Sequence, residues 1–350
     1  GMKKIIAYRI KNARKLKLLS QQEVADEIGV SKQMVSKYEK GASVPDSSKL
    51  IQLARLFGQK TDYFFRAYQV ALGEVNFRKK SKFSKRHQDG LKELIKIKLE
   101  NYLWLEETLS IDYSFDNIIK KENIKSVQDI EKAAAKLRKH WDIGTDPIHN
   151  IIQILEDNHI KVIDLEDVGD EFDGLACFVN DKYPIIVVNG SFSVERKRFT
   201  LLHELGHLLL NLPDGEPERK EEFCDHFAAE FLLPKKIIIQ EFGGKRRHIT
   251  LPELIATQKK YGISILAIIE RLADVQILSQ TQLKAFYQKI SFNSSLKKEI
   301  NLSRFETPEF SDRYKRLVYR AVSEESISIS KASSLLNTNV STVRENLNVI

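Results

Sequence analysis

Arg198-Phe199-Thr200-Leu201-Leu202-His203-Glu204-Leu205-Gly206-His207-Leu208-Leu209-Leu210 is the stretch that decides how the rest of the chain is read. Residues four apart on a helix stand one above the other, so His203 and His207 present two imidazole nitrogens to one metal ion while Glu204 points beside it. Two neutral nitrogens hold zinc and leave it a position for water, and a carboxylate that is not a ligand can take that water's proton. A five-residue pattern also arises by chance on an apolar helix. Three features favour the metal reading: the flanks are apolar (Phe199, Leu201, Leu202, Leu205, Leu208, Leu209, Leu210), a strand-like run at 183–189 precedes the motif, and acidic candidates for a third ligand follow it.

Those candidates lie beyond a loop at 212–217, on a helix that ends before Pro234. Glu221 and Asp225 are four apart and share a face, with Phe227, Ala228, Phe231 and Leu232 on the packing side. Glu221 is taken as the ligand and Asp225 as the carboxylate that orients a ligating histidine. Glu222, Asp214 and His226 compete, and on spacing alone a free acidic face competes nearly as well. Upstream, 161–165, 175–179 and 184–188 read as strands, the last two joined by a hairpin at 180–182. A small antiparallel sheet there offers an edge for an extended substrate, and Gly174 is the residue expected to let that substrate approach closely.

The segments 196–210 (RKRFTLLHELGHLLL) and 221–234 (EEFCDHFAAEFLLP) together resemble the ImmA/IrrE family of zinc metallopeptidases, in which an R-F-T-x-x-H-E-x-x-H helix precedes an acidic, alanine-containing helix that ends in proline. Ala134, Lys136, Leu137 and Arg138 with Trp141 and Pro147-Ile148 resemble the family's helical lead-in, so the likeness spans 126–234. By that match Glu221 occupies the acidic ligand position and Asp225 stands where Asn or Asp is usual. The resemblance implies a zincin-like domain with Zn2+ on His203, His207 and Glu221. It further implies Glu204 as general base and a protein substrate, a repressor or an antitoxin, cut in a stress or mobile-element response.

Nearer the N-terminus, Ile5, Ile6, Ile10, Ala13 and Leu16 mark a first helix. Ser20 with Glu23 forms a capping box for a second, Gly29-Val30 makes a turn, and Ser31 caps a third helix over 32–39 that ends at Lys40-Gly41. Helix, tight glycine turn, helix is the form that places a second helix in the DNA major groove. Ser31, Lys32, Gln33, Ser36 and Lys37 would then face DNA and Gln21 would lie near phosphate, whereas Val35 and Tyr38 pack inward or meet a thymine methyl. A helical protein-interaction module with a solvated polar face is the competing reading. The stretch 18–65, with Tyr38-Glu39-Lys40-Gly41 leading to Pro45, resembles the Xre or lambda-repressor type of helix-turn-helix domain. That likeness implies a double-stranded DNA operator as partner and a homodimer reading two half-sites.

A length of 350 residues fits two or three domains at roughly 150 each. A net charge of +8 agrees with a polyanionic partner, although solvated lysines give the same number. No apolar run is long enough to span a bilayer, no secretory signal opens the chain, and Cys177 and Cys224 are too few for a disulfide framework, so a cytoplasmic setting is expected. Gly1 before Met2 reads as an expression scar. The basic stretch 77–86 reads as a linker or a phosphate contact, Trp104 and Trp141 as packing residues, and 328–347 as a degenerate second helix-turn-helix or a packing or dimerisation element.

The fold class expected is α+β and mostly helical. An all-α helix-turn-helix domain occupies 2–67 and a basic linker with helices 68–125. A zincin-like peptidase domain with a small antiparallel sheet occupies 126–240, and a helical region 241–350. The function expected is a DNA-binding regulator with zinc endopeptidase activity. In the alternative, the chain is a DNA-binding regulator or an antitoxin whose peptidase-like domain is only a sensor or a partner-binding scaffold.

Overall fold

The computed structural model describes residues 1–67, 70–75, 78–79, 83–347 and 350, with side chains at all of these but 78–79. Of the basic stretch, residues 77 and 80–82 lie outside the described residues, Arg78–Lys79 forms a two-residue strand (β1), and residues 85 and 86 open a helix. Two compact units cut across chain order. One comprises Gly1–Leu72, Lys79–Asp112 and Tyr314–Ile350; the other comprises Gly73–Arg78 and Tyr113–Arg313.

In the first unit, α1 (Met2–Leu16), α2 (Gln21–Ile28), α3 (Lys32–Lys40), α4 (Ser47–Phe57) and a 3-10 helix (Thr61–Phe65) surround Ile10, Val24, Val35, Leu53 and Phe57. Local chemistry sets the boundaries. Ser20 and Glu23 form the reciprocal capping box, and Ser31 and Asp46 cap α3 and α4. Gly29, Gly41 and Gly58 end their helices in the left-handed region that glycine adopts without cost from a Cβ. Arg9, 1% exposed, donates to Glu100 on α5 (Lys85–Thr108) at 2.6 Å and to the Arg66 carbonyl at 3.0 Å. The unit is completed by α15 (Arg313–Ser323), α16 (Ile329–Leu336) and α17 (Val340–Leu347), whose Leu317, Val318, Ala321 and Val343 pack against Tyr102, Leu105 and Leu109. Trp104 packs on that cluster.

In the second unit, α6 (Val127–His140) and α7 (Ile151–Asp157) lead into strands β2 (Lys161–Leu165), β3 (Phe172–Val179) and β4 (Tyr183–Asn189), then α8 (Val194–Leu209) and α9 (Pro217–Leu232). After these come α10 (Lys235–Phe242), α11 (Leu251–Tyr261), α12 (Ile265–Asp274), α13 (Gln280–Phe292) and α14 (Ser294–Ile300). The expected hairpin is present: Asn180 and Asp181 both have positive φ, and the Lys182 N–H returns to the Val179 carbonyl at 3.1 Å. The sheet is mixed, however, and not antiparallel throughout. β3 pairs antiparallel to β4, but β2 pairs parallel to it, Lys161 opposite Ile185 through Leu165 opposite Asn189. Ile185, Ile186, Val187 and Val188 are all 0% exposed, so β4 is apolar on both faces and takes the central place. The remaining edge of β4 is then the one open to β2.

Candidate metal centre and nucleic-acid interface

Helix α8 begins at Ser193, whose Oγ accepts the Arg196 N–H, and runs with β3 on one side and α9 on the other. Two glycines allow that close packing. A Cβ on Gly174 would lie 2.7 Å from Thr200 Cγ2, 3.0 Å from the Val187 carbonyl oxygen and 3.4 Å from Glu204 Cγ. A Cβ on Gly206 would lie 3.3 Å from Cys224 Sγ and from the Phe227 ring. Gly174 is therefore buried under the helix next to Glu204, and the expectation that it meets the substrate is corrected: its missing side chain brings sheet and helix together. Cys177 and Cys224 are both buried.

With the helices that close, the side chains expected at the metal converge. His203 Nε2 lies 3.0 Å from Glu221 Oε2, His207 Nε2 lies 2.8 Å from Glu221 Oε1, and the two Nε2 atoms are 3.1 Å apart. Among the described residues, His203, His207 and Glu221 form the group of His, Cys, Asp or Glu side chains able to hold one ion. Two imidazole nitrogens and one carboxylate oxygen, all within 4.8 Å of one another, are the donor types of a catalytic zinc. Hydrogen bonds from His203 and then His207 hold the Glu221 carboxyl well below the usual carboxylate range. Asp225 Oδ1 is 2.7 Å from His203 Nδ1, which leaves Nε2 of that ring to face Glu221 and His207.

The competitors for the third position lie elsewhere. Glu222 and His226 line a different cavity, of about 680 Å3, where His226 Nδ1 faces Asp274 at 3.5 Å, and Asp214 is exposed in its loop. Glu204, 2% exposed, and His207 line a cavity of about 510 Å3 with Ala176, Cys177, Phe178, Asn211 and Lys220.

One wall of that cavity was not legible in the sequence. Gly73 and Glu74 line it, and the Gly73 N–H donates to the Phe178 carbonyl at 2.8 Å. A Cβ at Gly73 would stand 2.9 Å from that same oxygen, so glycine alone fits the approach. The outer edge of β3, expected to be open to a substrate strand, therefore already accepts the chain's own backbone at Phe178. No periodicity links a loop glycine to a strand a hundred residues later.

In the helix-turn-helix, Lys32, Gln33 and Lys37 are exposed, Ser36 is half-buried, and Val35 and Tyr38 are buried. Ser31 Oγ accepts the Met34 N–H and so caps α3. Gln21 is engaged within the protein, its Nε2 donating to Glu39 Oε2 at 2.8 Å. Arg14 Nη2 donates to the same oxygen at 3.1 Å, which gives Glu39 a structural role that its place in the sequence motif did not reveal.

Residues 10–64 match the Helix-turn-helix family and residues 159–273 match the family described as IrrE N-terminal-like domain. The chain is 38% identical over 58 residues to an SPbeta prophage-derived uncharacterized HTH-type transcriptional regulator, YonR, of Bacillus subtilis (strain 168). It is 35% identical over 60 residues to an uncharacterized transcriptional regulator in the ATPase CF(0) region of Rhodospirillum rubrum. Each match covers 17% of this chain and about half of the relative's own length, 54% and 56%. A solved structure, the apo form of ComR from S. thermophilus, aligns over 99% of this chain and 95% of its own at 12% identity, but with a TM-score of 0.18 it carries no argument. The chain thus joins an Xre-type helix-turn-helix at its N-terminus to an IrrE/ImmA-like domain in its central region.

Proposed function

We propose that this chain is a cytoplasmic DNA-binding transcriptional regulator whose central domain is a zinc-dependent endopeptidase acting on another protein, a repressor or an antitoxin. The convergence of His203, His207 and Glu221 beside the buried carboxylate of Glu204 carries the enzymatic part. Zinc, when bound to those three side chains, supplies Lewis acidity toward water and a peptide carbonyl. Glu204 takes the proton of the attacking water and delivers it to the leaving amine. Asp225 holds His203 in the tautomer that keeps Nε2 available. The regulatory part is supported by the start of α3, where Lys32 and Gln33, the proposed groove readers, are exposed. No described helix is long and apolar enough to cross a membrane.

Elemental analysis of purified protein tests the metal site first. One zinc per chain is expected in the wild type and none in His203→Ala; equal zinc in both, or no zinc under any loading condition, overturns the ligand set. DNA reading has a separate test. Lys32→Ala combined with Gln33→Ala is expected to abolish the shift of operator DNA, with the residual non-specific binding falling steeply as salt rises. An unchanged shift removes the groove-reading assignment.

A second reading, in which the domain is a sensor or a scaffold for a partner, is favoured by one observation. The backbone of Gly73 already occupies an acceptor on the outer edge of β3.

A further inference from the structure

The last helices reproduce the first helix-turn-helix position by position. Ser20 and Ser328, Gly29 and Asn337, Ser31 and Asn339, and Val35 and Val343 all stand 308 residues apart. Each serine caps an eight-residue helix from extended backbone, with φ −79 and ψ 162 at Ser20 and φ −76 and ψ 160 at Ser328. Both helices end on a left-handed residue, Gly29 at φ 68 and Asn337 at φ 49; asparagine is the usual substitute for glycine there.

The turn closes with the same hydrogen bonds. Val30 N–H donates to the Ala25 carbonyl at 3.0 Å, and Thr338 N–H donates to the Ser333 carbonyl at 3.1 Å. Ser31 Oγ accepts the Met34 N–H at 3.1 Å, and Asn339 Oδ1 accepts the Thr342 N–H at 2.9 Å. The buried contacts coincide too, since Val24 and Ala332, and Val35 and Val343, are each 0% exposed.

Two readings compete for such a unit, a dimerisation element and a nucleic-acid reader. Homodimer interfaces are more apolar than the rest of a protein's surface. Among the described residues of α15, α16 and α17, none is an exposed large hydrophobic. On the face that corresponds to the groove-reading face of α3, half-buried Val340 stands in the place of Lys32, and exposed Ser341, Arg344 and Glu345 stand in the places of Gln33, Ser36 and Lys37. Arginine pairs with guanine, serine accepts or donates to either strand's bases, and glutamate accepts from cytosine. Residues 313–350 carry six Lys or Arg against three Glu, and Lys315, Arg316 and Arg320 of α15 are exposed, Arg320 pairing with Glu324 at 2.7 Å. That excess matches a phosphate backbone.

We infer that α15–α17 is a second DNA-binding helix-turn-helix, with α17 as its groove-reading helix, Arg344 and Ser341 as base contacts and the exposed basic residues of α15 as phosphate contacts. The chain then reads two sequence blocks in double-stranded DNA, one through α3 and one through α17.

The test is selection of duplexes with the full chain from a pool of 30-bp DNA randomised in sequence, followed by binding measurements on the selected duplexes. The wild type is expected to enrich two separate blocks. Ser341→Ala with Arg344→Ala, both at exposed positions, is expected to lose one block and to bind the two-block duplex about tenfold more weakly. Lys32→Ala with Gln33→Ala should lose the other block. Unchanged enrichment and affinity in the α17 variant overturn the inference. Equal weakening of both blocks together with a smaller particle in sedimentation velocity also overturns it, by making the unit a dimerisation element. Thermal unfolding of the α17 variant at the wild-type temperature confirms that any loss arises at the surface.

Discussion

Glu204→Gln is expected to keep its zinc and to lose peptide hydrolysis by about two to four orders of magnitude, the range that a positioned general base contributes. The substitution preserves the size of the side chain, so the packing of Gly174 and Thr200 around it is retained. It removes the charge proposed to accept the proton of the attacking water, while the proposed ligands His203, His207 and Glu221 are untouched. Hydrolysis is read by mass spectrometry on a proteome-derived peptide library, with zinc content measured on the same preparations. In cells the matching readout is induction of the target operon, which should fail in the variant. A variant that hydrolyses peptides at the wild-type rate removes Glu204 from the mechanism. If induction survives without hydrolysis in either protein, the scaffold reading replaces the peptidase.

The parts of this protein that could be read in advance are those encoded by short spacings. His203 and His207, and Glu221 and Asp225, are pairs four apart, and each pair lands on one face of its helix as the helical period demands. Ser20 with Glu23 specifies a capping box, and Ser31 a cap, within four residues. What escaped depends on contacts between distant segments. The sequence reads as a small antiparallel sheet, whereas β2 pairs parallel to the buried, central β4, a pairing between segments 24 residues apart that no local spacing encodes. Gly174 looked free to meet a substrate because its sequence neighbours do not show that α8 crosses above it. Likewise nothing near Gln21 announces that Glu39 will accept its amide, or near Gly73 that Phe178 will accept its N–H.

Arg198→Met is expected to destabilise the central unit by about 3–5 kcal/mol, the cost of stranding the partner of a buried ion pair. Arg198 is 0% exposed and donates to four carbonyls: Gly262 at 3.0 Å, Ile148 at 2.6 Å, Tyr261 at 3.1 Å and His149 at 3.3 Å. It also pairs with Glu309, 6% exposed, whose Oε2 accepts the Ile152 N–H at 3.0 Å. Burial pushes the arginine down and the glutamate up, each towards its neutral form, so the charged pair persists because it is shared among several partners. One side chain thereby ties α8 to the segment ahead of α7, to the end of α11 and to the segment ahead of α15. Removing it takes a donor from four carbonyls and leaves the Glu309 carboxylate with the Ile152 N–H but no opposite charge. Urea unfolding in a Trp104→Phe background makes Trp141, packed edge-on against Phe231 at 5.8 Å, the reporter of this unit. The midpoint should fall in Arg198→Met and in Glu309→Gln, and the double variant should lose clearly less than the sum of the two, because they remove the same pair. Additive losses would show that Arg198 acts through the carbonyls alone, and an unchanged midpoint in Arg198→Met would show that the clamp contributes nothing.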